Sequence, residues 1–276
     1  MKNMNLFRAI LVLAFLPLSM VGSETKPSAP KMTAAQIVDK NIAARGGVAA
    51  WRAVQTMEMK GKMEAGGNQR TAMSVPGEKV GLKVVAPRPK DQAQLPFVMY
   101  LQRGRKMRVE IEFKGQTAIQ VYNGTQGWKV RPFLNRHEVE SFTPEELKAA
   151  STQTDLDGLL IDYAAKGSKV ELESIDQVDG RNAYNLKVTD RNGNARHVWV
   201  DAETFLDVKV EGTPRRLDGK YRPVVTYFRD YRSVNGLVMP YLLETAVEGV
   251  RDTEKILIEN IVSNPRLDES QFAMPR

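Results

Sequence analysis

From Met107 to Lys114 apolar and charged residues alternate without interruption: Met107, Val109, Ile111 and Phe113 against Arg108, Glu110, Glu112 and Lys114. A period of two places the two sets on opposite sides of a strand, so this stretch reads as a sheet element with one dry and one wet face. Arg103-Gly104, Lys114-Gly115 and Asn123-Gly124 stand where tight hairpins need residues that tolerate positive φ. Leu95–Pro132 therefore predicts four consecutive strands, and any fold of the chain must extend that meander.

The rest of the sequence does extend it. Met57, Met59 and Met63 alternate with Glu58, Lys60, Lys62 and Glu64, and Tyr184, Leu186 and Val188 with Asn185, Lys187 and Thr189. Further turns are marked at Asp179-Gly180, Asn192-Gly193 and Asn235-Gly236. The expected total is about eleven strands, mostly antiparallel because the turns are short. Helices interrupt the meander at two places. At the start, Thr33 with Gln36 three residues on forms a capping box, and a short helix over Val48–Val54 carries Trp51. After Pro132 the β character breaks off, and Thr143-Pro144-Glu145-Glu146 starts a helix. A second helix is expected from about Thr154, with Leu156, Leu159, Leu160 and Tyr163 on one face and Asp155, Asp157 and Asp162 on the other. A sheet of this size must curl, close or split. The apolar stripe is its natural cover, either as fixed core or as a movable lid.

At the N-terminus Lys2 and Arg8 precede the apolar run Ala9–Val21 and the small-residue site Val21-Gly22-Ser23. Residues 1–23 thus read as a secretory signal peptide, too short and too interrupted by Pro17 for a membrane span. Residues 24–32 read as a flexible tether with Pro27 and Pro30, and 33–276 as a single domain. Losing Lys2 and Arg8 with the signal lowers the formal charge by two, from +7 to +5. The absence of cysteine excludes disulfides, thiol nucleophiles and thiolate metal sites. His137 and His197 lack a second ligand at helical spacing, so no metal site and no cofactor is expected. No nucleophile elbow, dinucleotide fingerprint or phosphate loop occurs, and the chain does not read as an enzyme. The basic clusters Arg103-Arg105-Lys106-Arg108 and Arg215-Arg216-Lys220-Arg222 belong to no nucleic-acid-binding module.

Four stretches, in this order, resemble the periplasmic lipoprotein-carrier superfamily of LolA and LolB, in particular outer membrane lipoprotein-sorting proteins. They are Ile37-Val38-Asp39-Lys40 to Ala44-Arg45-Gly46-Gly47, Tyr122-Asn123-Gly124-Thr125-Gln126-Gly127-Trp128, Val234-Asn235-Gly236-Leu237-Val238-Met239-Pro240, and Phe272-Ala273-Met274-Pro275. The resemblance spans nearly the whole mature chain. It implies a mainly β fold with some α: an unclosed, strongly curved antiparallel barrel whose concave face is covered by helices and receives acyl chains. It further implies a soluble, monomeric periplasmic carrier or chaperone for lipids or lipoproteins, with an inner- or outer-membrane protein as a further partner and no nucleic acid. A sensor of envelope stress, or an interaction protein of the same fold, is the alternative.

On this reading the cavity would be lined by Met57, Met59 and Met63, by Phe97, Met99 and Leu101, by Met107, Val109, Ile111 and Phe113, and by Leu186 and Val188. Flexible thioethers suit a cavity that accepts varied chains, and they also suit ordinary core filling. Leu156, Leu159, Leu160 and Tyr163 would form the lid.

Overall fold

The computed structural model describes residues 32–66, 92–153, 155–217 and 219–275. The expected signal peptide, the tether up to Lys31 and the segment 67–91 lie outside the described residues. Helices α1 (Ala34–Ala44) and α2 (Val48–Ala53) come first. Strands β1 (Thr56–Gly66), β2 (Gln92–Gln102), β3 (Lys106–Phe113), β4 (Gln116–Asn123), β5 (Gly127–Arg131) and β6 (Arg136–Ser141) follow. After α3 (Pro144–Gln153) come β7 (Lys169–Val178), β8 (Arg181–Thr189), β9 (Ala195–Asp201) and β10 (Asp207–Glu211). A small hairpin of β11 (Arg215–Leu217) and β12 (Lys220–Arg222) precedes β13 (Val224–Val234), β14 (Leu237–Val247) and β15 (Glu254–Ser263).

Thirteen of these strands form one sheet in the order β6-β5-β4-β3-β2-β1-β15-β14-β13-β10-β9-β8-β7, and β11 and β12 pair separately. Every described pairing is antiparallel, and β1 joins β15, so the first strand unites two meanders into one sheet. The sheet does not close into a barrel: β6 and β7, neighbours in sequence, are its two edges. The strand count exceeds the eleven or so expected, in part because β6 lies in the region read as a break. Asn135, in the left-handed region with φ of 58°, reverses the chain after Pro132 and lays β6 beside β5. An edge strand needs only one buried neighbour, and a sequence as polar as Arg136–Ser141 suits it.

The hairpin signals hold at φ level: Gly104, Lys114, Gly115, Gly124, Asp179, Gly180, Gly193, Asn235 and Gly236 all have positive φ. So do the capping boxes: Gln36 N donates to Thr33 Oγ1 at 3.2 Å, and Glu146 N to Thr143 Oγ1 at 3.2 Å. In α1 the buried side chains are Ile37, Val38 and Asn41. Asn41 Nδ2 donates to the Phe205 carbonyl at 2.8 Å and to Asp207 Oδ1 at 2.9 Å, tying the helix to the β9–β10 connection.

On the opposite face of β3 the expected exposure of Arg108 needs correction. Its guanidinium donates to the Gln271 carbonyl at 3.1 Å and to Glu110 at 2.6 Å. The C-terminal turn Glu269–Phe272 lies over this side of β3 and β4, burying Phe272 and Val121. Arg108 therefore ends half-buried under the tail, while Glu112 is exposed.

Two of the four family-like stretches meet at the α1–α2 corner. The Arg45 carbonyl accepts from Val238 N at 3.1 Å, and Gly46, at φ of 108°, lies so close to the β13–β14 turn that a Cβ there would collide with the Gly236 carbonyl oxygen. Gly47, at φ of 88°, has nothing within 4 Å of where a Cβ would be. Both glycines supply a conformation costing other residues about 1–2 kcal/mol, and only Gly46 adds a backbone collision. Gly47→Ala should lower stability by about that amount, and Gly46→Ala by at least about 2 kcal/mol more. Urea unfolding of the two variants checks the order; equal losses would mean that the corner is not tightly docked.

Candidate functional site

Pairing in an antiparallel sheet places directly opposed residues on the same face, so the registers define which side chains line the concavity. Ile261, Met59, Met99, Val109 and Gln120 form one row across β15, β1, β2, β3 and β4. Ile258, Gly61, Phe97, Ile111 and Ala118 form the next, and Leu243, Ile256, Met63 and Leu95 a third. At Gly61 the β1–β15 register slips by one residue, and a Cβ there would run into the Leu257 carbonyl. The bulge lets the two meanders approach closely, and buried Phe97 fills the space beside it.

This face forms one apolar cluster. Met57, Phe97, Ile258, Ile261, Leu237, Met239 and Tyr241 from the sheet pack with Trp51 and Val54 from the α2 region and with Leu156 and Ile161 from the segment before β7. Met59, Met63, Met99, Leu101, Ile111, Leu243 and Ile256 pack against them while remaining partly exposed. Exposure varies along the strands: Leu101 and Met107 are half-buried beside Met57, and Val224 and Val247 are buried at the far end of β13 and β14. At the end nearest α2, Met57 is 0% exposed and Leu237 1%; at the far end Met63, Leu95, Leu243 and Ile256 are only half-buried.

The sequence-derived lining thus divides. Met57, Met59, Met63, Phe97, Met99, Leu101 and Ile111 belong to the cluster. Met107, Val109 and Phe113 share the face by register, with Val109 buried and the other two half-buried. Leu186 and Val188 are buried on β8, six positions from β1 in the sheet order and outside that cluster, yet the register Thr245, Thr226, Val210, Val198, Leu186 carries the same face to them. The lining contributed by β14 and β15 was missed, although Leu237, Met239, Tyr241 and Leu243 show the same alternation. What the sequence does not display is that β15 pairs with β1.

Residues 155–167 are a succession of turns, which corrects the helix expected there. Gly158 at φ of 79° and Asp162 at φ of 53° enter the left-handed region and break the helical path. The i, i+3, i+4, i+7 leucine spacing therefore does not define a face. Leu156, Leu160 and Ile161 are buried, while Leu159 and Tyr163 are half-buried.

Asp157, expected on a polar outer face, is 1% exposed. Its carboxylate takes Arg103 Nη1 at 2.9 Å and Lys166 Nζ at 2.7 Å, and Lys166 also reaches Asp155 at 3.0 Å. Arg103 continues inward, donating to the Val54 carbonyl at 2.6 Å and the Trp51 carbonyl at 2.5 Å. Arg52 pairs with Asp162 at 2.6 Å, and Arg45 donates to the Asp157 carbonyl at 3.3 Å. These contacts bind the turn segment, α2 and the β2–β3 hairpin into one closure over the end nearest α2. Burial works to raise the Asp157 carboxyl, but hydrogen bonds with Asp155, Lys166 and Arg103 and the Lys166 charge outweigh it and hold it at about 2. Asp155 moves upward, through burial and its hydrogen bond with Asp157.

Farther round the sheet, Lys129 and Arg131 on β5 are buried and engaged by Glu146 at 2.5 Å and Glu140 at 2.7 Å. His197 places Nδ1 2.6 Å from Glu211 and Nε2 3.0 Å from Glu173. Both ring nitrogens are thereby occupied. Among the described residues no helix is long and apolar enough to cross a membrane.

No protein-family model and no curated protein sequence matches the chain. Solved structures do match. A LolA superfamily protein from Nitrosomonas europaea aligns with TM-score 0.56 and 11% identity over 88% of this chain and 98% of its own. A DUF1329 family protein from Desulfovibrio piger gives TM-score 0.53 and 13% identity over 87% and 97%. An outer membrane lipoprotein-sorting protein domain from Vibrio parahaemolyticus gives TM-score 0.50 and 12% identity over 86% and 94%. The chain has the LolA-like fold, a large antiparallel sheet left unclosed.

A carboxyl depressed by folding contributes stability above its ordinary range, and that contribution is lost as pH falls toward the folded value. For Asp157 it is complete above about pH 4, lost toward about pH 2, and worth at most about 2 kcal/mol. Asp157→Asn should therefore flatten the acid limb of the stability curve across that window. Urea midpoints measured against pH test this, and an acid limb as steep as wild type would show that the cluster does not hold the closure.

Proposed function

We propose that the protein is a non-enzymatic periplasmic carrier or chaperone that holds acyl chains of lipids or lipoproteins on the concave face of its sheet. The carrying observation is a continuous apolar face that, among the described residues, runs past the closed end to half-buried Met63, Leu95, Leu243 and Ile256. Burial of about ten methylenes at ~0.8 kcal/mol each offsets the losses of association and supports micromolar binding or better. The LolA-like fold and the sorting-protein domain among the similar structures support the same reading. The buried ions of the closed end are bound to one another and to backbone carbonyls, an arrangement suited to anchoring rather than turnover. Leu156, Leu159, Leu160 and Tyr163 act as the cover, with access from the opposite end.

Titration of delipidated protein with a fluorescent fatty acid tests this proposal. Met63→Arg puts a charge into the half-buried apolar row and should weaken binding about tenfold or more, with little change in the unfolding midpoint. Bound ligand should also slow hydrogen exchange across 155–167. Absence of fatty-acid uptake would overturn the carrier reading and favour a protein that holds a partner without lipid. Strong, equal protection with and without ligand would leave the four cover residues as ordinary core.

A further inference from the structure

The β11–β12 hairpin stands apart from the main sheet, on the connection between β10 and β13. Its register pairs Arg216 with Tyr221, Arg215 with Arg222, and Leu217 with Lys220. Opposed residues share a face, and the two faces differ. Arg215, Leu217 and Arg222 are half-buried, whereas Arg216 and Tyr221 are exposed, as is Lys220 beside the tip. Tyr221 is 68% exposed, more than any other large hydrophobic side chain described.

The base of the hairpin is fixed. Arg215 grips Glu254 through two hydrogen bonds of 2.6 and 2.8 Å, and Glu254 opens β15 two residues before Ile256. Arg222 lies 3.8 Å from the Cβ position of Gly249 in the β14–β15 turn, which also carries exposed Arg251. The basic residues therefore gather at the end of the sheet where Met63, Leu95 and Ile256 are half-buried, opposite the closed end. Acids at that end include Glu64, Glu248, Asp252 and Glu254, the last engaged by Arg215. The sequence places Asp218 between Leu217 and Lys220, so the stretch 215–222 carries four basic residues against one acid.

We propose that this hairpin docks the open end of the concavity on a bilayer surface containing anionic lipid. A tyrosine ring opposed by Arg216, with Lys220 on the other face beside the tip, suits the headgroup layer, where the ring rests at the interface and basic side chains meet lipid phosphates. The Arg215–Glu254 pair fixes the hairpin beside the half-buried apolar row, so docking turns that row toward the membrane. The purpose of docking rests on the carrier reading, while the docking itself is measured separately.

The test is cosedimentation of the whole protein with phosphatidylcholine vesicles, with and without phosphatidylglycerol, at low and high salt. Wild type should partition to the anionic vesicles and be released by salt. Each basic side chain near such a surface contributes about fivefold, so Lys220→Glu combined with Tyr221→Ser should lower partitioning about tenfold or more. Arg266→Glu, an exposed site after β15 at the opposite end, is the charge-matched control and should stay within about twofold of wild type. Equal binding to neutral and anionic vesicles, or an equal loss in the Arg266→Glu control, overturns the docking. Fatty-acid uptake in solution is recorded for every variant. Lost vesicle binding with intact uptake in the double variant supports the docking, and wild type that takes up fatty acid but ignores vesicles overturns it while leaving the carrier reading standing.

Discussion

The pairing of β1 with β15 is the constraint on which the rest depends. It joins residues from opposite ends of the chain, so its closure entropy must be offset by contacts that form only when both meanders are in place. The glycine at the register slip permits close approach, and the three rows through Met59, Gly61 and Met63 become continuous across the seam. Without that seam, β1–β6 and β7–β15 would each expose an apolar edge and neither would have a concavity. With it, a single unclosed sheet presents one apolar face that the described helices and turns cover in part.

The two ends of that face are built differently. Near α2, a buried carboxylate is shared by Arg103 and Lys166, and those cations reach three backbone carbonyls on two separate segments. Buried ion pairs add little net stability because desolvation offsets their attraction, but breaking one leaves an uncompensated charge. Such a cluster therefore specifies one arrangement of the closure. At the other end methionine, leucine and isoleucine side chains stay half-buried, and the basic hairpin is fixed beside them through Glu254. Among the described residues the two ends are thus held by different chemistry, ionic at one and apolar at the other.

Much of the fold was legible locally. Alternation from Met107 to Phe113 and the turns at Asn123-Gly124 and Asn235-Gly236 depend on neighbours in sequence, and the capping boxes at Thr33 and Thr143 equally so. What the sequence concealed is non-local. Pairing of β1 with β15, and hence the lining from Ile256, Ile258 and Ile261, leaves no local mark. Leu156, Leu159, Leu160 and Tyr163 imitate a helical stripe, yet Gly158 and Asp162 turn the chain and Asp157 points inward to cations distant in sequence. Arg108 looked wet because only the tail, more than a hundred and sixty residues later, covers it. The registers place the candidate lining of β1–β3 on one face, while the extent of that face depends on contacts that only the folded sheet supplies.

The central claim is that the concave face carries an acyl chain, and native mass spectrometry tests it most directly. Protein purified without detergent from membrane-containing cells should carry added mass matching fatty-acyl species, removed by delipidation and restored on incubation with lipid. A spectrum with the bare protein mass alone, before and after incubation with lipid, would contradict the account.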